Sequence, residues 1–292
     1  MKVKIAKEAG FCFGVKRAMK MAWDELEDSQ NTIYALGPLI HNKQAVSKYE
    51  EKGLQTVDTI ENIPLNNKMI IRSHGVSEKI YNDAKEKDLN VIDTTCPFVK
   101  KIHRVVKREY EKGKVIIVIG DSKHPEVIGI NGWCNNSAII IKTIEDLEKL
   151  DLDKSKEYCV VAQTTINLNL YDKITEYLSN NLEFINLNNT ICSATKERQE
   201  SAMELAQEVD CVVVIGGTHS SNTQKLVQIC KQYVDTFAIE TKEELDVELL
   251  KKYNTVGVTA GASTPDWIIE DVVAFIENIN NYKIKMTKNL NF

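Results

Sequence analysis

The chain has 292 residues, of which 43% are hydrophobic and 27% charged, and its formal net charge is -5. This length favours two or three domains, and the acidic balance argues against a general nucleic-acid binder. No apolar run approaches the roughly 18 residues that a membrane-spanning helix needs. Residues 1–8 lack an apolar segment, so no secretory signal is expected. Seven widely spaced cysteines, an odd number, favour a reducing cytoplasmic location over a disulfide framework.

Strand and helix patterns alternate along nearly the whole chain, which predicts an α/β fold with mainly parallel sheets. Runs rich in Val and Ile predict strands at 32–36, 68–71, 115–119, 138–141, 158–162, 211–215, 236–239 and 255–259. Helical periodicity predicts helices at 98–112, 170–180, 194–208, 223–233 and 266–278. Residues 282–292 are polar and basic without a period, so a loose tail is expected there.

Three apolar runs each lead to a cysteine that is followed by a helical pattern with a basic first turn. The cysteines are Cys12, Cys96 and Cys192, which are separated by 84 and 96 residues. The chain therefore contains three similar units, and the three thiols are interpreted as one site.

Polar turns repeat together with these cysteines. A Gly opens a polar turn that contains His41, His124 or Ser220, at offsets of 29, 28 and 28 residues from the cysteine. A second polar turn follows a later strand in each unit: Arg72-Ser-His74, Gln163-Thr164-Thr165 and Ala260-Gly-Ala-Ser263. Functional turns of open parallel sheets lie beyond the carboxyl ends of the strands. The repeat thus predicts three α/β domains with pseudo-threefold symmetry around a central cavity.

Three thiolates from separate units could hold zinc or an iron–sulfur cluster. Zinc sites usually use close Cys-x-x-Cys pairs, which this sequence lacks. A [4Fe–4S] cluster normally takes four cysteines, so three would leave one iron open to a substrate oxygen. A single cysteine is more often a small buried apolar residue, but the repeat favours a shared site. The other four lack the repeat and are interpreted as structural: Cys134, Cys159, Cys211 and Cys230.

Histidines occupy three of the repeated turns. A lone histidine in a turn more often makes a local hydrogen bond, but His41, His74 and His124 at related positions favour convergence on an anion such as phosphate. Glu126 follows His124 closely and is a candidate proton donor, although an acid at a helix start is also stabilised by the helix dipole. His103 lies in a charged helical segment and is expected on the solvated surface.

Hydroxyl side chains fill the remaining turns. Ser221-x-x-Gln224 fits a helix capping box, a role compatible with phosphate binding because both use free N–H groups at a helix start. Thr164 and Thr165 could position an alcohol and relay its proton.

The combined motifs resemble the 4-hydroxy-3-methylbut-2-enyl diphosphate reductase family, also called IspH or LytB. The resemblance covers roughly residues 1–278, and the motifs keep the family's order and approximate spacing. These motifs are Gly10-Phe-Cys-Phe-Gly-Val, Gly37-Pro-Leu-Ile-His-Asn, Arg72-Ser-His-Gly-Val, Asp93-Thr-Thr-Cys-Pro, His124-Pro-Glu, Gln163-Thr-Thr, Asn189-Thr-Ile-Cys, Ser220-Ser-Asn-Thr and Thr259-Ala-Gly-Ala-Ser.

The resemblance implies an oxidoreductase for the last step of the non-mevalonate (MEP) isoprenoid pathway. The reaction removes the C4 hydroxyl of an allylic diphosphate and gives isopentenyl and dimethylallyl diphosphates. By analogy, Cys12, Cys96 and Cys192 ligate one [4Fe–4S] cluster whose fourth iron is open to substrate. Two electrons would come one at a time from a ferredoxin or flavodoxin, and no nucleic acid or membrane partner is implied.

The resemblance also assigns residues to roles. Glu126 is the implied proton donor, working through Thr164, with His124 beside it. The implied diphosphate-binding residues are His41, His74, His124, Ser220, Ser221, Asn222 and Ser263. Thr165 and Thr195 would line or support the cavity. No Lys or Arg is assigned to the diphosphate, so helix N-termini are expected to supply much of the anion stabilisation.

The fold implied by the resemblance is a trefoil of three α/β domains. The expected domains are 14–96, 97–192 and 193–281, with residues 1–13 joining the last domain and 282–292 as a tail. Two alternatives stay open on the sequence alone. A non-redox dehydratase with an open-iron cluster, as in quinolinate synthase, would need no electron donor. A cluster-binding regulator without turnover is disfavoured by the His124-Pro-Glu126 turn.

Overall fold

The computed structural model describes residues 1–29, 31–40 and 42–279, which contain twelve strands and eleven α-helices. The strands are β1 Lys2–Ile5, β2 Ile33–Leu36, β3 Leu54–Val57, β4 Lys68–Ile71, β5 Asn90–Asp93, β6 Val115–Ile119, β7 Ile139–Ile141, β8 Tyr158–Ala162, β9 Ile185–Leu187, β10 Cys211–Ile215, β11 Asp235–Ile239 and β12 Thr255–Ala260. The helices are α1 Phe13–Asp28, α2 Lys43–Glu51, α3 Glu78–Glu86, α4 Pro97–Glu111, α5 Pro125–Asn131, α6 Ile144–Glu148, α7 Leu168–Asn181, α8 Ser193–Ala206, α9 Ser221–Cys230, α10 Val247–Leu250 and α11 Asp266–Glu277.

The strands form three parallel sheets of four strands each, which confirms the predicted α/β class. The first sheet has the order β3-β2-β4-β5, the second β7-β6-β8-β9 and the third β11-β10-β12-β1. The three sheets therefore share one spatial arrangement, but only in the first and second do the two central strands carry the chain outwards in opposite directions. Strand β1 comes from the N-terminus and pairs in parallel with β12, from Lys2 with Thr255 to Ile5 with Val258.

Both faces of the central strands are covered by apolar clusters. Successive side chains of a strand point to opposite faces, so neighbouring residues belong to different clusters. In β6, Ile117 and Ile119 belong to one apolar cluster, whereas Ile116 and Val118 belong to another. All residues of β8 and β10 are buried. Burial of one such Val or Ile side chain contributes about 1.5–3 kcal/mol, so these β-branched runs hold the sheets in place.

The sequence located most of these elements. The strands predicted at 68–71, 115–119, 158–162 and 211–215 agree with the structure at both ends. Strand β3 was missed because only its end residues, Leu54 and Val57, are buried. Residues 282–292, the expected tail, lie outside the described residues. In the described part of the chain, no helix has the length and apolar character needed to span a membrane.

The chain divides into two compact units. We call Phe11–Glu197 the two-sheet unit, because it holds the first and second sheets. Met1–Gly10 together with Arg198–Phe292 holds the third sheet and is called the one-sheet unit. The three domains 14–96, 97–192 and 193–281, and their threefold arrangement around a cavity, stay predictions.

Candidate active site

The repeated polar turns follow the two central strands of each sheet. They begin at Gly37 and Arg72 in the first sheet, Gly120 and Gln163 in the second, and Gly216 and Gly261 in the third. In the first sheet, for example, β2 leads to β3 on one side while β4 leads to β5 on the other. Open α/β sheets bind ligands in the crevice beyond such a reversal of strand order. The sequence repeat therefore lies at the edge of each sheet where open α/β sheets bind ligands.

Three cysteines stand at the starts of helices in the two-sheet unit. Cys12 and Cys96 are the N-cap residues of α1 and α4. Cys192 directly precedes α8, and its carbonyl accepts a hydrogen bond from Thr195 N at 2.9 Å. These three thiols are free and partly exposed, whereas the other four cysteines are fully buried in apolar clusters, as expected of structural residues: Cys134, Cys159, Cys211 and Cys230.

The three thiols lie close enough to influence one another. Burial raises the pKa of Cys96, and the charges of Cys12 and Cys192 raise it further, while nearby backbone N–H groups act in the opposite direction. Burial and Cys12 likewise raise the pKa of Cys192. Gly14 allows α1 to approach this group, because a Cβ built there would lie 2.5 Å from Cys96 Sγ. The structure thus brings together the cysteines that the sequence repeat singled out.

Three free thiols at helix starts are a donor set that fits an iron–sulfur cluster. Within residues 1–29, 31–40 and 42–279, no three His, Cys, Asp or Glu side chains are grouped closely enough to hold one metal ion. Thiolates are the usual cluster ligands, and helix N-termini favour the thiolate form.

A buried acid in the second sheet is bonded to a threonine from the neighbouring turn. Glu126 is 2% exposed, and its two carboxyl oxygens accept hydrogen bonds from Thr164 N at 2.6 Å and Thr164 Oγ1 at 2.7 Å. Burial raises the pKa of Glu126 to about 7, although the bonds from Thr164 oppose this shift. Protonated and ionised forms therefore coexist near neutral pH, as a general acid requires.

This acid lies near the cysteines. The carbonyl of Thr164 accepts a hydrogen bond from Cys192 N at 3.1 Å. The charge of Glu126 also contributes to the raised pKa of Cys192. The turn that holds the acid's partner is thus bonded directly to the backbone of one of the three thiol residues.

Two of the three predicted histidines meet at this site. His124 is the N-cap of α5, and its Nδ1 accepts a hydrogen bond from Glu126 N at 3.2 Å. Since Nδ1 accepts, a neutral His124 carries its proton on Nε2. The ring of His74, in the turn after β4, packs edge-on against His124 with centroids 5.5 Å apart. His41, the third histidine, lies outside the described residues.

Gln163 is a site residue without a role in the sequence prediction. Its Oε1 accepts a hydrogen bond from Asp121 N at 3.1 Å, and its Nε2 donates to Thr165 Oγ1 at 3.0 Å. It therefore joins the two polar turns of the second sheet. Its only signal in the sequence is its place directly before Thr164 and Thr165.

The remaining predicted residues belong mainly to the one-sheet unit. The predicted Ser221-x-x-Gln224 capping box is wrong, because α9 begins one residue earlier and Ser220 caps it by accepting from Thr223 N at 3.3 Å. Asn222 is 4% exposed, and neither atom of its side-chain amide has a hydrogen-bond partner among the described residues. Such an amide is costly to bury and suits a ligand-binding role. Ser263, and Thr195 in the two-sheet unit, are also buried.

His103 corrects another sequence prediction. It was expected on the surface, but its side chain is 3% exposed and its ring stacks on Trp133 with centroids 5.2 Å apart. Burial lowers the pKa of His103 to about 4, so the ring is neutral at pH 7. The position follows the buried face of α4, one turn after Val99 and one before Val106, whereas the charged neighbours suggested the opposite face.

Known proteins are similar to this chain over nearly its whole length. The LytB protein family model matches residues 3–277. A 4-hydroxy-3-methylbut-2-enyl diphosphate reductase of Clostridioides difficile (strain 630) is 70% identical over 279 residues, covering 96% of this chain and 100% of that protein. The solved structure of the E-1-hydroxy-2-methyl-but-2-enyl-4-diphosphate reductase from Plasmodium falciparum has a TM-score of 0.89 and 30% identity, with 94% of this chain and 87% of that chain covered.

A second solved structure, of an (E)-4-hydroxy-3-methyl-but-2-enyl diphosphate reductase, is 41% identical with a TM-score of 0.71. The match covers 95% of this chain and 100% of the solved chain. These matches confirm the family resemblance read from the sequence motifs. The chain belongs to the LytB family, the 4-hydroxy-3-methylbut-2-enyl diphosphate reductases of the non-mevalonate pathway, which are iron–sulfur enzymes.

Proposed function

We propose that this chain reduces (E)-4-hydroxy-3-methylbut-2-enyl diphosphate to isopentenyl and dimethylallyl diphosphates. Two electrons and two protons are consumed, the C4–O bond breaks, and the hydroxyl leaves as water. The observation that carries the proposal is the placement of a buried acid with a pKa of about 7 near Cys192, one of three neighbouring free thiols at helix starts. Electron input and proton input can then serve the same carbon–oxygen bond.

Cys12, Cys96 and Cys192 would hold one [4Fe–4S] cluster. When bound, the cluster supplies electrons and one open coordination position for the substrate. The helix N-termini behind the cysteines favour their thiolate forms. Gly14 leaves beside Cys96 Sγ the space that any larger residue would fill.

Glu126 would supply the proton for the departing hydroxyl. Its carboxyl stores a proton at neutral pH because burial disfavours the ionised form. The Oγ1 of Thr164 stands 2.7 Å from the carboxyl and would hydrogen-bond the substrate hydroxyl. As the C4–O bond breaks, Thr164 gives its proton to the leaving oxygen and takes one from Glu126. Thr165 would help to position the substrate, held by Gln163.

The diphosphate would be bound by imidazoles, hydroxyls and an amide. The proposed residues are His41, His74, His124, Ser220, Ser221, Asn222 and Ser263. Because Nδ1 accepts from Glu126 N, a neutral His124 carries its proton on Nε2 and would donate it to a phosphate oxygen. The unpaired amide of Asn222 also gains partners when an anion binds.

The electrons would come from a ferredoxin or a flavodoxin. Phe13 directly follows Cys12, and Phe98 follows Cys96 after one proline. The side chains of the two phenylalanines are 67% and 43% exposed. The first turns of α1 and α4 contain no acidic residue. Lys16 in α1 and Lys101 in α4 are exposed. An acidic carrier protein would be attracted to this basic, apolar surface.

The enzyme would work in the reducing cytoplasm. All seven cysteines are free thiols in the structure, and structural disulfides are rare in that compartment. Free thiolates there remain available to bind iron.

Mössbauer spectroscopy on anaerobic, iron-57-enriched protein tests the proposal. We expect one distinct iron whose signal shifts when the hydroxy-allylic diphosphate is added, and turnover that requires a reductant. Four equivalent irons, or bound zinc without iron, would refute the three-cysteine cluster. A distinct iron whose signal does not change when the diphosphate is added, together with turnover independent of reductant, would favour a dehydratase instead.

A further inference from the structure

A partly buried cation without a counter-charge among the described residues follows a central strand of the first sheet. Arg72 follows β4 directly, and its Nε is fully enclosed with no hydrogen-bond partner among the described residues. Burial lowers the pKa of Arg72, and no neighbouring charge contributes to that shift. Arginine still remains protonated in proteins. The fold thus holds a positive charge that nothing in residues 1–29, 31–40 and 42–279 balances.

The guanidinium reaches from its own turn to the other polar turn of the sheet. A Cβ built on Gly37 would lie 2.5 Å from Arg72 Nη1 and 3.1 Å from its Cζ. Gly37 also has a φ of +71°, a conformation that other residues rarely adopt. Strands β2 and β4 are direct neighbours, so the charged group occupies the crevice where the strand order reverses.

The second sheet shows what a neutral side chain does in this position. Gln163 follows β8 as Arg72 follows β4, and a Cβ on Gly120 would lie 3.0 Å from Gln163 Oε1. Both ends of the Gln163 amide are bonded, to Asp121 N and Thr165 Oγ1. The equivalent space thus holds a satisfied amide in one sheet and an unsatisfied cation in the other. Only in the first sheet does this position offer an unpaired charged donor, which favours an anion as its ligand.

The same turn already carries a proposed diphosphate residue. His74 is two positions after Arg72, and its ring packs on His124. A guanidinium binds phosphate oxygens through two parallel N–H groups, which makes it stronger and more specific than a neutral donor. We propose that Arg72 binds the diphosphate of the substrate and supplies a permanent positive charge there. This inference rests on the proposed function.

Inorganic pyrophosphate is the probe, because it carries the anion without the allylic alcohol. Arg72→Gln installs the residue that the second sheet tolerates, so it should fold. We expect about a tenfold or larger increase both in KM for the allylic diphosphate and in the inhibition constant of pyrophosphate. The kcat should change less than threefold, because the acid and the cysteines are untouched. Arg72→Lys keeps the charge but loses the paired donors, so intermediate values are expected.

Arg108→Met is the matched control, since it removes an exposed guanidinium that pairs with Glu109 instead. Its KM and pyrophosphate inhibition should equal those of the unaltered enzyme. Raised salt should weaken pyrophosphate binding more in the unaltered enzyme than in Arg72→Gln.

Unchanged KM and pyrophosphate inhibition in Arg72→Gln would overturn the inference. A lowered melting temperature with binding intact would also overturn it, because Arg72 would then be a structural residue. Failure of the proposed function would look different, because the unaltered enzyme itself would not turn over the allylic diphosphate. Pyrophosphate binding, measured by calorimetry, would then still decide: loss in Arg72→Gln supports the anion site, and equal binding refutes it.

Discussion

The first and second sheets share one strand order but place opposite chemistry at the same edge. After the central strands of the first sheet come Arg72 and His74, a cation and an imidazole. The equivalent turns of the second sheet hold Glu126 and Thr164, an acid kept half protonated by burial. Because the backbone is repeated, the side chains alone decide the function of each edge. The first edge adds a cation to the proposed anion site, and the second adds an acid that can deliver a proton.

The backbone repeat does place one kind of residue alike in both sheets. Cys96 follows the last strand of the first sheet and Cys192 the last strand of the second. A repeated unit can thus keep a cysteine at the same place while its polar turns differ. The predictions below separate what the two sheets share from what distinguishes them.

The largest effect should come from the shared residues. Cys96→Ser replaces a thiolate ligand by a hydroxyl, which binds iron poorly, so the four-iron cluster should be lost and turnover should fall below detection. Cys12→Ser and Cys192→Ser should behave alike. Iron and sulfide content and the electron paramagnetic resonance spectrum of the reduced protein provide the measurement. Cys134→Ala, at a buried cysteine outside the group, should keep both cluster and turnover. An intact four-iron cluster in all three serine variants would refute the ligand assignment.

The second sheet's acid should matter for rate rather than for binding. In Glu126→Gln, the amide can still accept from Thr164 N and donate to Thr164 Oγ1, so the local structure should persist. The proton donor is gone, and kcat should fall by about 10² or more with KM nearly unchanged. Steady-state kinetics of this variant and of Glu157→Gln, an exposed acid at the start of β8, provide the comparison. Near-normal turnover would remove Glu126 from the mechanism.

The same acid should set the pH profile. Above its pKa of about 7 the proton donor is lost, so kcat should fall towards tenfold per pH unit. Stability also falls as the pH rises, because the folded-state pKa is raised above the ordinary value of 4.5. The free energy of unfolding should therefore drop by about 3 kcal/mol between pH 4.5 and 7 and then level off. Glu126→Gln should lack both slopes. A kcat that stays flat from pH 7 to 9 would contradict the assignment.

Sequence patterns predicted the shared architecture better than the differences between the sheets. A continuous β-branched run such as 115–119 can be recognised without tertiary information, because strands covered on both faces are apolar throughout. The cysteine spacing likewise reveals the repeat directly. Residues whose role depends on one neighbouring turn were harder to find. Arg72 stands in a recognised motif, but only the structure shows that Gly37 makes room for its guanidinium and that no carboxylate pairs with it.

The sequence patterns also failed to predict one helix face and one helix start correctly. His103 was misplaced because the charges beside it are exposed while the position itself faces Trp133. The start of α9 was misread by one residue, since Ser220 and Ser221 both fit a cap and only the backbone decides between them. The acid of the second sheet was found from its motif, but its raised pKa depends on burial that the sequence does not display.

The smallest expected effect tests the equivalence of Arg72 and Gln163 directly. Gln163→Ala leaves Asp121 N and Thr165 Oγ1 without their partner, which should cost about 1–2 kcal/mol of stability. Arg72→Ala breaks no hydrogen bond among the described residues and removes an unbalanced buried charge, so stability without ligand should stay equal or rise. Urea unfolding of both variants, with and without pyrophosphate, measures the contrast. Pyrophosphate should stabilise Gln163→Ala about as much as the unaltered enzyme, and Arg72→Ala less. If Arg72→Ala loses more stability than Gln163→Ala without ligand, the arginine holds the two turns together and the anion argument fails.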